Sequence, residues 1–87
     1  MGYKFVFTKK AAIDLEQIEQ QEVKRIIKKI AWFEAQNNPL TYGKRLHEPA
    51  SGDIRFRIGD YRVVAIINEK QRRIEVVQIG HRREIYR

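Results

Sequence analysis

Arg55-Phe56-Arg57-Ile58-Gly59-Asp60-Tyr61-Arg62-Val63-Val64 is the stretch that decides the architecture of this chain. Basic and apolar residues alternate up to Ile58, the period of a strand with two unlike faces. Gly59-Asp60 is a two-residue turn, in which glycine supplies the positive φ that so tight a hairpin requires. A hairpin closed there sets Ile58 opposite Tyr61, Arg57 opposite Arg62 and Phe56 opposite Val63. Directly opposed residues share a sheet face. Phe56, Ile58, Tyr61 and Val63 therefore turn toward a core, and Arg55, Arg57 and Arg62 gather on the other side. Like charges set across neighbouring strands repel, so an arginine cluster of this kind suits a face that holds an anion.

The pattern continues on both sides of the hairpin. The run Val63-Val64-Ala65-Ile66-Ile67 is that of a central strand covered on both faces. Residues 68–73 turn, Ile74 to Ile79 form a last strand, and residues 80–87 form a tail. If Ile67 pairs with Ile74, His81 joins the arginine face, and the last strand carries His81, Arg82 and Arg83 to the end of the sheet that holds the Gly59-Asp60 turn. Upstream, Tyr3, Phe5 and Phe7 alternate as a first strand, and Thr8 is placed to cap a helix. Ala11, Leu15 and Ile18 form one helical stripe; Val23, Ile26, Ile27, Ile30 and Phe33 form a second, out of phase with the first. The mismatch predicts two helices with a break near Gln20-Gln21. Lys24, Arg25, Lys28 and Lys29 fall on the second helix's outer face and read as solvated. Asn37-Asn38-Pro39 stops that helix, and residues 37–53 form a long loop. The expected fold is α+β in the order β-α-α-β-β-β. It has an antiparallel-rich sheet of about four strands and two helices packed on one face.

Eighty-seven residues make a single domain, 1–87. There is no cysteine, hence no disulfide, thiol nucleophile or zinc-thiolate site. No signal peptide or membrane-length apolar run is evident, which points to a cytoplasmic protein. His47 and His81 lack grouped carboxylates, so neither a metal nor any other cofactor is expected. The net charge of +7 favours an anionic partner. Its distribution is uneven: residues 1–53 hold seven Lys and two Arg, and residues 54–87 hold one Lys and eight Arg. Arginine's planar fork grips phosphate in a way lysine does not, which makes the C-terminal part the candidate site. His47, in the long loop, reads as structural or solvated.

The hairpin, together with Ile79-Gly80-His81-Arg82-Arg83-Glu84-Ile85-Tyr86-Arg87, closely resembles the RelE/ParE toxin superfamily. Tyr3 to Thr8, Asn38-Pro39 and Gly43-Lys44-Arg45-Leu46 fit as well, so the resemblance spans nearly the whole chain. It implies a toxin held by a cognate antitoxin. In RelE-type members it implies metal-free cleavage of mRNA in the ribosomal A site, against the 16S rRNA surface. By that resemblance Arg55, Arg57, Arg62, Arg82 and Tyr86 form the site, with Arg57, Arg62, Arg82 and Tyr86 expected to be catalytic and Arg55 to hold RNA phosphate; Arg45 and Arg83 are expected as further phosphate contacts. Arg55 and Arg57 stand where the RelE pattern has lysine. Arginine stays protonated and makes a poor base, so His81 becomes the candidate for proton transfer. Tyr86 would stack on a base, hydrogen-bond the 2′-oxygen or share in proton transfer. Two other functions fit the same features: a ParE-like inhibitor of DNA gyrase without RNase activity, and a non-catalytic RNA- or ribosome-binding module.

Overall fold

The computed structural model describes residues 2–48 and 52–85. Strand β1 (Lys4–Phe7) runs into helix α1 (Lys9–Glu16) through Thr8, whose hydroxyl accepts from the Ala11 N–H as a helix cap. Helix α2 spans Gln20–Glu34. The break between the helices lies at residues 17–19, slightly before the expected position, because Gln17-Ile18-Glu19 carries no glycine or proline to mark it. Ala11, Ile26, Ile30 and Phe33 are buried, as their stripes predict, whereas Ile27 is exposed.

The long loop is more ordered than expected. A 3-10 turn covers Pro39–Tyr42, and a two-residue strand β2 (Lys44–Arg45) pairs antiparallel with β3 (Ile54–Ile58). Strands β4 (Tyr61–Asn68) and β5 (Arg73–His81) follow, and part of the expected tail folds as a short helix α3 (Arg82–Ile85). The sheet thus has five strands rather than about four, in the order β1-β5-β4-β3-β2, with β1 parallel to β5 and every other pairing antiparallel. The α+β class holds, and its elements are more numerous than the sequence pattern indicates.

The hairpin register is the expected one: Ile58 pairs with Tyr61, Arg57 with Arg62 and Phe56 with Val63, and Gly59 has φ +59°. Phe56, Ile58 and Val63 are buried beneath the helices with Ile54, Ala65, Ile74, Val76 and Ile79. Ile67 does pair with Ile74, but β5 then gains one residue: Ala65 pairs with Val76 and Val64 with Gln78, leaving Val77 as a bulge. One extra residue reverses the facing of everything beyond it. Ile79 therefore joins the core, and His81 pairs with Tyr61 instead of joining the arginine face.

The outer edge of β5 past the bulge is secured by α1. The Ile79 N–H donates to the Asp14 carboxylate at 3.0 Å, and Lys10 donates to both oxygens of that carboxylate at 2.8 Å. Strand β4 is covered only in part on its second face. Val64 is buried, with Gly52 close above its side chain, while Ile66 is exposed. Gly52 has φ +110°, and a β-carbon there would lie 2.8 Å from the Val64 methyl, so glycine is needed for this crossing on both counts.

Candidate functional site: a basic cleft opposite the helices

Away from the helices the sheet forms the floor of an open cleft of about 880 Å³. Val64, Ile66 and Gln78 lie on its floor. Arg55 enters from β3, while Lys44, Arg45, Leu46, His47 and Glu48 form one wall. Glu84 and Ile85 of α3 line the cleft too, as does Lys10 from α1. Lys10, Lys44, Arg45 and Arg55 face two carboxylates, so the cleft is net basic.

The arginine cluster shares one face of the sheet by pairing but divides into three environments. Arg55 is half-buried and lines the cleft. Arg62 is 4% exposed, and its Nη1 donates to the Gly59 and Tyr61 carbonyls, each at 3.0 Å. Across the sheet Arg62 pairs with Gly80, over which α3 packs: a β-carbon on Gly80 would meet Glu84 Oε1 at 3.1 Å and Ile85 Cδ1 at 3.4 Å. Arg57 is exposed and lines a separate groove with Arg25, Lys28, Lys29 and Trp32 of α2. Because β2 reaches only Arg55, the strand beyond it is an edge, and Arg57 can lean around that edge toward the helix. The expectation of one continuous arginine patch is therefore corrected. Arg55 belongs to the cleft, Arg62 underlies the α3 end of it, and Arg57 belongs to the other side of the edge.

Among the C-terminal candidates, the His81 ring meets the Tyr61 ring edge-on at 5.7 Å between centroids. Its Nδ1 accepts the Arg83 N–H at 3.2 Å, and its backbone N–H donates to Glu84 Oε1 at 3.1 Å. That acceptor role places the proton of a neutral ring on Nε2. Arg82 is exposed at the hairpin end of the sheet. Its N–H donates to the Asp60 carbonyl at 2.7 Å, and its Nε stands 3.9 Å from the Asp60 carboxylate. Arg83 is exposed beside it. Tyr86 lies outside the described residues. Arg45 joins the cleft wall as expected of a phosphate contact. Sequence reasoning missed His47, Lys44 and Lys10 as cleft residues. Each sits on an element whose position depends on long-range packing, and the period of the sequence carries no sign of it.

The family model for the ParE toxin of the type II toxin-antitoxin system parDE matches residues 5–86. The chain belongs to this toxin family. It is 28% identical over 87 residues to toxin RelG of Mycobacterium tuberculosis (strain ATCC 25618 / H37Rv), covering 100% of this chain and 99% of that one. To toxin RelE of the same strain it is 32% identical over 85 residues, covering 98% of this chain and 87% of the relative. The fold of the toxin is that of solved relatives. It superposes on a chain of the M. tuberculosis toxin-antitoxin complex RelBE2 with a TM-score of 0.81 at 22% identity, covering 93% and 99% of the two chains. A mutant of E. coli toxin RelE in the free state gives a TM-score of 0.69 at 19% identity, covering 99% of this chain and 92% of that one. The archaeal RelE-RelB complex from Pyrococcus horikoshii OT3 gives the same TM-score at 21% identity, covering 94% of this chain and 97% of that one. Membership of the RelE/ParE toxin superfamily, expected from the hairpin and the tail, is thus shown. No helix among the described residues is long and apolar enough to cross a membrane.

Proposed function

We propose that the toxin is an endoribonuclease that cleaves mRNA on the ribosome by attack of a ribose 2′-oxygen on the adjacent phosphorus. The observation that carries the reading is the cleft, which brings Lys10, Lys44, Arg45 and Arg55 around a sheet floor with His47 on its wall. In the reaction the 2′-OH gives its proton to a base, the 2′-oxygen bonds to phosphorus, and the 5′-oxygen leaves with a proton from an acid. The product ends in a 2′,3′-cyclic phosphate. Arg45 and Arg55 hold the backbone. Arg82, exposed at the hairpin end of the sheet, offsets the charge that develops on the phosphoryl oxygens, a role for which fixed donors are effective, and the buried charge of Arg62 adds to it from beneath the hairpin without direct contact. Arg57 extends the grip past the strand edge, Arg83 adds a phosphate contact, and Tyr86 acts on the base or the 2′-oxygen.

Arginine does not accept the proton, so the reading gives that step to a histidine: His81 through Nε2, or His47 from the cleft wall. Comparing single-turnover cleavage by His47→Ala and His81→Ala assigns it. The partner that restrains the toxin is a cognate antitoxin whose acidic segment covers the cleft, by charge complementarity. Its counterparts are the antitoxin chains in the complexes named above.

The test is a translation extract programmed with a defined mRNA. Codon-positioned ends bearing cyclic phosphate are expected, and Arg82→Ala should slow their formation by roughly 10²- to 10³-fold, the effect of losing one charge-stabilising donor. Intact mRNA overturns the reading. The match to the ParE toxin model favours one alternative, inhibition of DNA gyrase, for which intact mRNA would be accompanied by blocked supercoiling.

A further inference from the structure

The groove that takes Arg57 lies between the outer edge of β3 and helix α2, on the opposite side of that edge from the cleft. Its volume is about 360 Å³, and it is lined by Arg25, Lys28, Lys29, Trp32, Arg57, Ile58 and Gly59. No acidic side chain among the described residues lines it. Glu22 stands 3.5 Å from Arg25 and offsets part of that charge, whereas Asp60 is engaged with Arg82 at 3.9 Å, outside the groove. Trp32 is 44% exposed and Tyr42 is 46% exposed, and their rings meet edge-on at 5.0 Å. Lys29 Nζ stands 4.4 Å from the centroid of the Trp32 ring. Large exposed aromatics ringed by cations combine two ways of holding a single-stranded polyanion: stacking on its bases and pairing with its phosphates.

We infer that this groove is a second nucleic-acid contact, which stacks an unpaired RNA base on Trp32, whose indole Tyr42 supports edge-on from outside the groove, while Arg25, Lys28, Lys29 and Arg57 hold the flanking phosphates. Position supports RNA over an acidic protein segment. Arg55 in the cleft and Arg57 in the groove are two residues apart on β3, a step of roughly 7 Å, so one extended strand can leave the cleft across the edge and enter the groove. Lys29 then moves from the indole face to a phosphate. The basic face of α2 thereby becomes part of a binding surface, where the sequence alone read it as solvated. The inference rests on the reading that the toxin acts on RNA, but not on cleavage.

The test uses the full chain and a 2′-O-methyl oligouridine, which cannot undergo 2′-oxygen attack. Trp32 is the one tryptophan of the chain, so its fluorescence reports on this groove alone. The oligonucleotide should quench it, with an affinity that falls as salt rises. Lys28→Gln with Lys29→Gln should reduce the slope of log affinity against log salt by about 1.4, at about 0.7 per phosphate contact on a single strand. Trp32→Ala, followed by the anisotropy of a labelled oligonucleotide because the indole is lost, should weaken binding roughly 5- to 150-fold, the range for one lost base stack. The double lysine variant changes only exposed side chains, so it decides the matter even if Trp32→Ala folds poorly. An unchanged salt slope in that variant overturns the proposal. So does fluorescence that responds to polyglutamate and not to oligouridine, which would make the groove a site for an acidic protein segment. If mRNA stays intact in the programmed extract while oligouridine still quenches Trp32, the cleavage reading falls and the groove stands.

Discussion

Replacing Arg62 should damage stability as well as activity, and the two losses can be separated. Its side chain is nearly inaccessible, and Nη1 donates at 3.0 Å to the carbonyls of both Gly59 and Tyr61, which fixes the hairpin turn from below. Hydrogen bonds from a charged donor contribute about 1.5–3 kcal/mol. Arg62→Ala forfeits at least one such contribution, together with the packing of a buried aliphatic stem. For a domain of this size each kcal/mol moves the thermal midpoint by about 4–8 °C, so the expected fall is roughly 6–24 °C. Arg62→Lys keeps a charge and a stem but loses the planar fork, and should fall between wild type and Arg62→Ala. Thermal unfolding followed by circular dichroism gives the midpoints, and cleavage is then assayed well below the lowest of them. A midpoint for Arg62→Ala within a degree of wild type would refute the argument that this arginine is a structural member of the hairpin. If cleavage instead recovers fully once the protein is kept folded, Arg62 has no part in charge stabilisation.

Two further substitutions probe how the site is held. Asp14→Ala removes the acceptor of the Ile79 N–H beside the bulge and should lower stability by about 1–3 kcal/mol, read as a lower urea midpoint; Asp14→Asn, which keeps an oxygen in place, should lose less. Gly80→Val puts methyl groups where Glu84 and Ile85 now sit, so α3 should lift from the sheet, and trypsin should cut after Arg82 and Arg83 several times faster than in wild type. Unchanged proteolysis would mean that α3 does not depend on close approach at Gly80.

The parts of this fold legible in the sequence are those governed by local rules. Gly59-Asp60 fixes a turn, the turn fixes a register, and the register puts Phe56 and Val63 in the core; no distant contact is needed for any step. Thr8 likewise caps α1 through its own hydroxyl. The misplaced features depend on residues far apart in the chain. Nothing at Val77 signals a bulge, because valine suits any central strand, and the extra residue shows only when β5 is laid against β4 and its Ile79 N–H finds Asp14. That hidden residue is why strand alternation alone assigns His81 to the wrong face. Lys44-Arg45 is too short for a period to mark it as a strand. Arg57 has the correct parity, but its environment depends on where β2 stops. The cleft shows the same division. Arg55 was legible from strand alternation, whereas His47 became a wall residue only through the packing of its loop over the sheet.

The pairing of β1 with β5 has a consequence for how the toxin is made. Lys4 and Arg73 are Cα partners, so the first strand to emerge from the ribosome waits for the last before it has a neighbour. The Asp14 carboxylate waits in the same way for the Ile79 N–H. A nascent chain that stops short of residues 73–81 lacks the strand that joins β1 to β4, together with Gln78 on the cleft floor, and leaves β1 without a neighbour. Neither the closed sheet nor the cleft built on it therefore exists until β5 has been made and laid between β1 and β4.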